Sequence, residues 1–396
     1  MAIGLILGGL LAEGCVRGYF ALDTGPRVLL YGTSWYRNVE PGERAERQRR
    51  SEMKTEAVAA EWGRKDSVEL HGWNFGGYTK FFPGELKTTK DFDTGQRISV
   101  TINSRGFRGG EFASDKAAGV VRILALGASS TFGYYNRDEE TYPFLLERLL
   151  NGVCRGSRRF EVINFAIPHA NSANIAAMFL AEGMALAPDV VTFYEGRNDS
   201  TLDRKREGRL ERLYSVLVNR VLLVAFIDQI VLGERVSLTD PSLKLGPLSE
   251  QLSRGLLRNL TAILEASRKA GALLIVASQQ ATSRSALPGA QLERVALRGT
   301  TFDQEADEIA RRLERRESVT FLEFSLLVHR RLMQDMKQWA ERNAVPFVDI
   351  IGTLDQHRHY LLSWVHLHPE ANRMVAAKLS EPILQRYCPG ASAERR

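Results

Sequence analysis

The sequence predicts a three-layer α/β core over residues 119–390, built on a five-stranded parallel sheet. Three observations carry this expectation. Five short apolar runs follow residue 119: Val120–Leu126, Phe160–Phe165, Val190–Tyr194, Leu273–Ala277 and Pro346–Ile350. Segments with helical spacing separate them. Each run is almost continuously hydrophobic rather than alternating, as strands are when helices cover both faces of the sheet.

The elements can be taken in chain order. Ala2–Ala12 (AIGLILGGLLA) carries no charge but is only 11 residues long, and Glu13 and Arg17 follow. A spanning helix needs about 20 apolar residues, and no Lys or Arg precedes this run as a signal peptide requires. Residues 1–20 read either as a buried or frayed terminal helix or, the reading favoured here, as the tail of a truncated membrane anchor. Residues 21–118 read as a mixed extension. Within it Glu40–Arg64 is charged and reads as helical or mobile, and His71–Arg108, rich in Gly, aromatic and β-branched residues, reads as short strands and turns. After the first sheet strand, Tyr142, Leu145, Leu146, Leu149 and Leu150 share one helical face.

About 80 residues separate the third and fourth runs, more than one crossover needs. An insertion over about 200–255 holds Leu210–Leu232, expected as an amphipathic cap helix, with an interfacial membrane helix as the alternative because Leu222–Ile227 would cover more than one face. A second insertion, over 289–317, reads as a charged, solvated helical arm. Leu326, Leu327, Met333, Met336 and Trp339 belong to a long amphipathic helix, and Pro369 suits the first turn of a closing helix that reaches about Gln385.

Composition excludes several classes. Hydrophobic residues make up 44% and charged residues 25%, near globular averages, which rules out a wholly disordered chain, a collagen and a multi-span membrane protein. The net charge of +6 is spread through Arg–Glu mixtures, Arg44–Arg50 included, so no nucleic-acid partner is expected. Three cysteines, Cys15, Cys154 and Cys388, are odd in number and far apart. They predict neither a disulfide framework nor a thiolate zinc site. His357, His359, His366 and His368 cluster, but their spacing is not that of a metal site, and neither a metal nor another cofactor is expected.

Ligands of an open parallel sheet bind beyond the carboxyl ends of its strands. After the first strand stands Gly127-Ala128-Ser129-Ser130-Thr131-Phe132-Gly133, a turn that projects a serine hydroxyl at a helix start. After the third comes Gly196-Arg197-Asn198-Asp199, which offers an amide donor, and just before the last helix lies His366 in Ser363-Trp364-Val365-His366. A Gly-x-Ser-x-Gly elbow is not met, since Thr131 holds its last position. Nucleophile, amide donor and base follow one another in an order suited to acyl transfer. Gly127, Gly196 and Asp199 are the expected substrate-side neighbours.

At these residues the chain resembles the SGNH (GDSL-type) hydrolase superfamily, over about residues 119–390. Ser129, Asn198 and His366 match its blocks, and Tyr142-Pro143 looks like its first helix. Asn103-Ser104-Arg105-Gly106-Phe107-Arg108 looks like a segment common in bacterial, often membrane-anchored, members. The resemblance implies a flavodoxin-like core and serine ester hydrolysis. Ser129 would attack an acyl carbonyl and His366 would take its proton. The backbone N–H of Ser129 and the Asn198 side chain would hold the oxyanion, and the two catalytic side chains are expected within hydrogen-bond reach, roughly 2.6–3.2 Å.

Three departures stand out. Ala128 replaces an Asp. His169 falls where the family has a Gly that donates an oxyanion amide; its backbone N–H survives, but its side chain is expected to crowd the site. Ser363 stands where the triad acid should be, with Asp199 and Asp355 as the other candidates. The substrate classes implied are lipid esters, acetylated sugars and small acyl esters. Acyl transfer to a saccharide hydroxyl and non-catalytic binding of a carbohydrate or protein are the alternatives. The N-terminal run and the anchored relatives point to membrane contact, with the catalytic domain outside the cytoplasm; a cytoplasmic location is the alternative.

Overall fold

The computed structural model describes residues 8, 11–18, 87–90, 97–155, 158–200, 235–236, 245–284, 297–317 and 319–389. The chain divides into two units, one of residues 1–68 with 203–235, the other of 69–202 with 236–396. In the first, residues 11–18 are helical, with Arg17 paired to Glu13 one turn earlier at 2.6 Å. Among the described residues no helix is long and apolar enough to cross a membrane. The expected helices over Glu40–Arg64 and Leu210–Leu232 lie outside the described residues.

The second unit opens with an antiparallel hairpin of β1 (Lys87–Lys90) and β2 (Arg97–Val100). Five strands then form one sheet: β3 (Val120–Gly127), β4 (Arg159–Ala166), β5 (Val190–Tyr194), β6 (Leu273–Ala277) and β7 (Phe347–Val348). Their order is β4-β3-β5-β6-β7 and every pairing is parallel, so each of the five apolar runs contains a strand.

Side chains of β3 alternate between two cores. Leu124 and Leu126 pack on one face with α3 (Ser172–Met178), α4 (Leu245–Lys269), α5 (Phe302–Glu314) and α6 (Phe321–Arg342). Ile123 and Ala125 pack on the other face with α2 (Tyr142–Val153), α7 (Ile350–Leu354) and α8 (Pro369–Tyr387). Burying each such large aliphatic side chain contributes about 1.5–3 kcal/mol, and because both faces are covered the strands read as nearly continuous apolar runs. Capping boxes fix the entries of α5 (Thr301 with Gln304) and α6 (Thr320 with Glu323). Pro369 takes the first position of α8, where its missing N–H costs nothing.

Two expectations are corrected here. Cys154 and Cys388 form a disulfide across a separation of 234 residues, because the ends of α2 and α8 meet at the edge where the strands begin. Sequence distance hid this contact. The arm over 289–317 is not wholly solvated either. Its α5 buries Phe302, Glu305, Ala306 and Ile309, and the buried Glu305 pairs with the fully buried Arg358.

Register places the site. Gly127 of β3 aligns with Ala166 of β4 and with Tyr194 of β5, so the three strands end level. The strand order reverses about β3, and the segments that follow these strands meet there.

Candidate active site

β3 runs directly into α1 (Ser129–Phe132). A Cβ on Gly127 would lie 1.9 Å from Thr131 Oγ1 and 2.9 Å from the Tyr194 carbonyl, so only glycine lets the turn sit this close to β5. Gly127 thus sets the turn. The next hydroxyls have structural partners: Ser130 Oγ donates to the Val365 carbonyl at 2.9 Å, and Tyr142 Oη donates to Thr131 Oγ1 at 3.1 Å. Ser129 is 9% exposed.

His366 sits in a tight return after the 3₁₀ turn Asp355–Tyr360. Leu362 N donates to the His366 carbonyl at 2.8 Å, and Leu361 bridges Leu367. Ser363 Oγ lies 2.6 Å from His366 Nδ1 and also accepts the His366 backbone N–H at 3.3 Å. The rings of Tyr134 and Tyr135 stand 5.3 Å from the imidazole and that of Trp364 stands 6.1 Å away. This burial pushes the His366 pKa down to about 3, with a smaller contribution from the nearby His169. No carboxylate opposes that shift.

The other candidates for the acid are committed elsewhere. Asp199 accepts from Ser172 Oγ at 2.5 Å and from Ser172 N at 2.9 Å, and Asp355 accepts from Gln280 Nε2 at 3.0 Å and from Phe302 N at 2.9 Å. Neither of these bonds reaches His366, and those of Asp199 brace the start of α3. His366 Nε2 has no hydrogen-bond partner among the described residues, so the expected Ser129–His366 bond is not formed. Such bonds commonly tighten only when substrate is bound.

Beyond β5, Asn198 Nδ2 donates to the Ala170 carbonyl at 2.8 Å. One amide hydrogen is thereby held and the other remains for a ligand. Glu195, which sequence reasoning passed over, organises this loop. Its Oε1 accepts the backbone N–H of Gly196 and of Asn198, each at 2.9 Å, and burial pushes its pKa up to about 7. Its signal was a lone acid closing the apolar run VVTFY. Gly196 is held by this contact. His169 adopts φ +66°, the left-handed region that favours glycine, so the backbone shape of the family's Gly is kept at a cost of about 1–3 kcal/mol. The residue is exposed rather than pressed into the core. Of the clustered histidines, His357 and His368 stack on Tyr360, and among the described residues no group of His, Cys, Asp or Glu forms a metal site.

A level set of strand ends thus brings a serine turn, an amide loop and a buried histidine to one place. The profile of the GDSL-like Lipase/Acylhydrolase family matches residues 125–374, which contain all three. The chain belongs to that family. Ester hydrolysis is accordingly its general reaction class. Solved structures with a similar fold include a lipase/acylhydrolase from Enterococcus faecalis (15% identity, 68% of this chain and 98% of that one, TM-score 0.41). An inhibitor-bound M. smegmatis aryl esterase is also similar (15%, 67% and 99%, TM-score 0.40). A third is a mutant acetyl-xylooligosaccharide esterase from Geobacillus stearothermophilus (14%, 66% and 94%, TM-score 0.39). No curated protein matches the chain.

Proposed function

We propose that this GDSL-family chain hydrolyses a carboxylic ester through an acyl-enzyme on Ser129, with His366 as base and Ser363 in place of the triad acid. The observation that carries the reading is the 2.6 Å contact between Ser363 Oγ and His366 Nδ1, which leaves Nε2 as the ring nitrogen free for proton transfer. When Ser363 accepts from Nδ1–H, Nε2 holds a lone pair and takes the Ser129 proton as Oγ attacks the acyl carbon. The tetrahedral oxyanion is then met by the backbone N–H of Ser129, the free hydrogen of Asn198 Nδ2 and the backbone N–H of His169. Collapse expels the alcohol, which receives the proton from Nε2. Water activated by the same nitrogen then releases the acid.

A hydroxyl orients an imidazole less strictly than a carboxylate does. Ser363 Oγ–H can instead donate to Nδ1, which places the ring proton on Nε2 and removes the base. It also cannot offset the charge of an imidazolium. Turnover is therefore slow: in the serine-protease template, losing the correct tautomer costs ~10⁴. The same absence of a carboxylate favours a second reading, a non-catalytic member that binds an acylated saccharide or a protein.

The substrate class is a lipid ester, an acetylated sugar or a small acyl ester, and transfer to a saccharide hydroxyl is the same chemistry with another acceptor. The Cys154–Cys388 disulfide supports an oxidising, extracytoplasmic compartment, and the apolar Ala2–Ala12 run supports contact with a membrane. A fluorophosphonate probe tests the mechanism. It should label wild type at Ser129 and leave Ser129→Ala unlabelled, with acid release lost in that variant. No labelling and no turnover on varied esters would leave the binding reading in place; added sugar acceptors that collect the acyl group would identify a transferase.

A further inference from the structure

The segment Asn103–Arg108 lies outside the residues that match the family, yet it is built into the site. Asn103 Oδ1 accepts the backbone N–H of Arg105 at 3.0 Å and of Phe107 at 3.1 Å, folding a tight turn. Phe107 then stacks on Phe165 of β4 with ring centroids 4.3 Å apart, and Arg108 bridges Asn164 of the same strand. The turn therefore delivers a guanidinium beneath the C-terminal end of α1.

We infer that Arg108 is a positioning residue for the Ser129–His366 pair; this rests on the reading of those two residues as nucleophile and base. The last carbonyls of a helix have no partners within it and must find others. Arg108 Nη1 donates to the carbonyls of Phe132 at 2.9 Å and Gly133 at 2.7 Å, and Nη2 donates to that of Asn136 at 2.7 Å. Its Nε donates to Asp138 Oδ1 at 2.8 Å, and its charge lies 5.1 Å over the Phe132 ring. At Gly133, φ is +88°, and a Cβ there would stand 3.1 Å from Arg108 Nη1 and 2.4 Å from Thr141 Cγ2, so the chain turns back only because the position is glycine. Asn164 Nδ2 completes the set by donating to the Thr131 carbonyl at 3.0 Å.

The consequence reaches the base. Asn136, whose carbonyl Arg108 holds, donates from Nδ2 to the Leu367 carbonyl at 2.9 Å, while Ser130 Oγ donates to that of Val365 at 2.9 Å. The two peptide carbonyls flanking His366 are thus fixed by the turn that carries Ser129. Arg108 anchors that turn, so its loss lets nucleophile and base move relative to one another. A misplacement of about 1 Å is enough to cost ~10²-fold in rate.

A second buried arginine provides the comparison. Arg122 donates to Glu161 at 2.6 Å and to the carbonyls of Ser114, Leu186 and Ala113, but near the start of β3, away from the site. Arg108→Lys and Arg122→Lys should be assayed side by side on p-nitrophenyl acetate and with the fluorophosphonate probe, well below each variant's Tm. Lysine cannot reproduce the planar fork. Both variants should melt earlier, but only Arg108→Lys should lose kcat and labelling rate, by about 30–100-fold with KM within about twofold. If Arg108→Lys does not fold, Asp138→Asn, which leaves one amide oxygen for Arg108 Nε and for the Thr101 N–H that Asp138 Oδ2 accepts at 3.1 Å, should lower kcat about 3–10-fold with KM held. An active wild type whose folded variants at 108 or 138 take the probe at the wild-type rate overturns this inference alone. A wild type that neither turns over the ester nor takes the probe removes the nucleophile reading, and this inference with it.

Discussion

Ser130 Oγ donates to the Val365 carbonyl at 2.9 Å and accepts from Gln279 Nε2 at 3.3 Å. The residue after Ser129, the proposed nucleophile, is therefore tied to the residue before His366, the proposed base. Ser130→Ala should leave the buried Val365 carbonyl unpaired, costing about 1–3 kcal/mol of stability, and should lower kcat about tenfold with little change in KM. Ser129→Ala should abolish turnover and leave the melting temperature within about 2 °C, since among the described residues no hydrogen bond of the fold depends on its hydroxyl. Thermal melts run beside steady-state kinetics separate the two serines; equal effects on activity and stability at both positions would remove the distinction.

The acid limb of kcat/KM should sit far below that of an ordinary histidine. Burial holds His366 down at about 3, so the ring stays neutral throughout the range from pH 4 to 8. Stability carries the same shift with a defined sign. His366 at about 3 and the buried His329 at about 4 both lie below the ordinary 6.5, so the unfolded state binds more protons over that interval. Unfolding should become easier as pH falls from 6.5 toward 4, while short assays still show activity at pH 5. An acid limb near 6.5 would mean that the imidazole is hydrated or paired.

The sheet was legible because covered strands have a simple signature, and the five runs needed no long-range knowledge. Ser129, Asn198 and His366 were legible because each follows or precedes an element at a fixed offset. What escaped was chemistry decided by contact. Cys154 and Cys388 looked unrelated because 234 residues separate them, although two helices that end on one edge bring them together. Asp199 and Asp355 remained open as acids because both are carboxylates near the right blocks; only coordinates show Ser172 holding the first and Gln280 the second. Arg108 was visible as part of a motif, but its carbonyl partners at 132, 133 and 136 depend on a return of the chain that no local pattern encodes.

Glu195 gives a stability prediction of the opposite sign to the histidines. Its pKa is pushed from an ordinary 4.5 to about 7 by burial. Its folding penalty is absent below pH 4.5, grows as pH rises and is complete above about 7, where it reaches ~3 kcal/mol. Glu195→Gln keeps an oxygen for the N–H groups of Gly196 and Asn198 and removes the charge. The variant should match wild type at pH 4.5 and melt several degrees higher at pH 8. A variant less stable at pH 8 would show that the ionised carboxylate is welcome in this loop.

The disulfide should matter for stability and not for rate. It closes 234 residues, for which loop entropy sets a ceiling of about 5 kcal/mol, and it joins helix ends at the edge of the sheet opposite the site. Paired Cys154→Ser and Cys388→Ser changes should cost about 2–5 kcal/mol in denaturant unfolding. kcat of the folded variant should stay within about twofold. A large fall in kcat at full folding would mean that α2 and α8 transmit strain to the His366 loop.

The decisive variant is Ser363→Asp. Ser363 is buried and its Oγ stands 2.6 Å from His366 Nδ1, so a carboxylate placed there accepts the Nδ1 proton and forbids the unproductive tautomer. It also offsets the imidazolium formed during attack, which the hydroxyl cannot do. The backbone N–H of His366, which now reaches Ser363 Oγ at 3.3 Å, is available to the new acceptor. kcat should rise at least about tenfold, and the acid limb should move up from about 3, because an adjacent negative charge favours the protonated ring. Ser363→Ala should do the reverse, leaving Nδ1 without this partner and lowering kcat about 10–100-fold. These two signs belong together. A rise in Ser363→Asp with an upward pH limb shows that orientation and charge at Nδ1 limit the native enzyme. If both variants instead keep the wild-type rate and the wild-type limb, the contact at 2.6 Å has no part in catalysis and His366 is oriented by its packing against Tyr134 and Tyr135 alone.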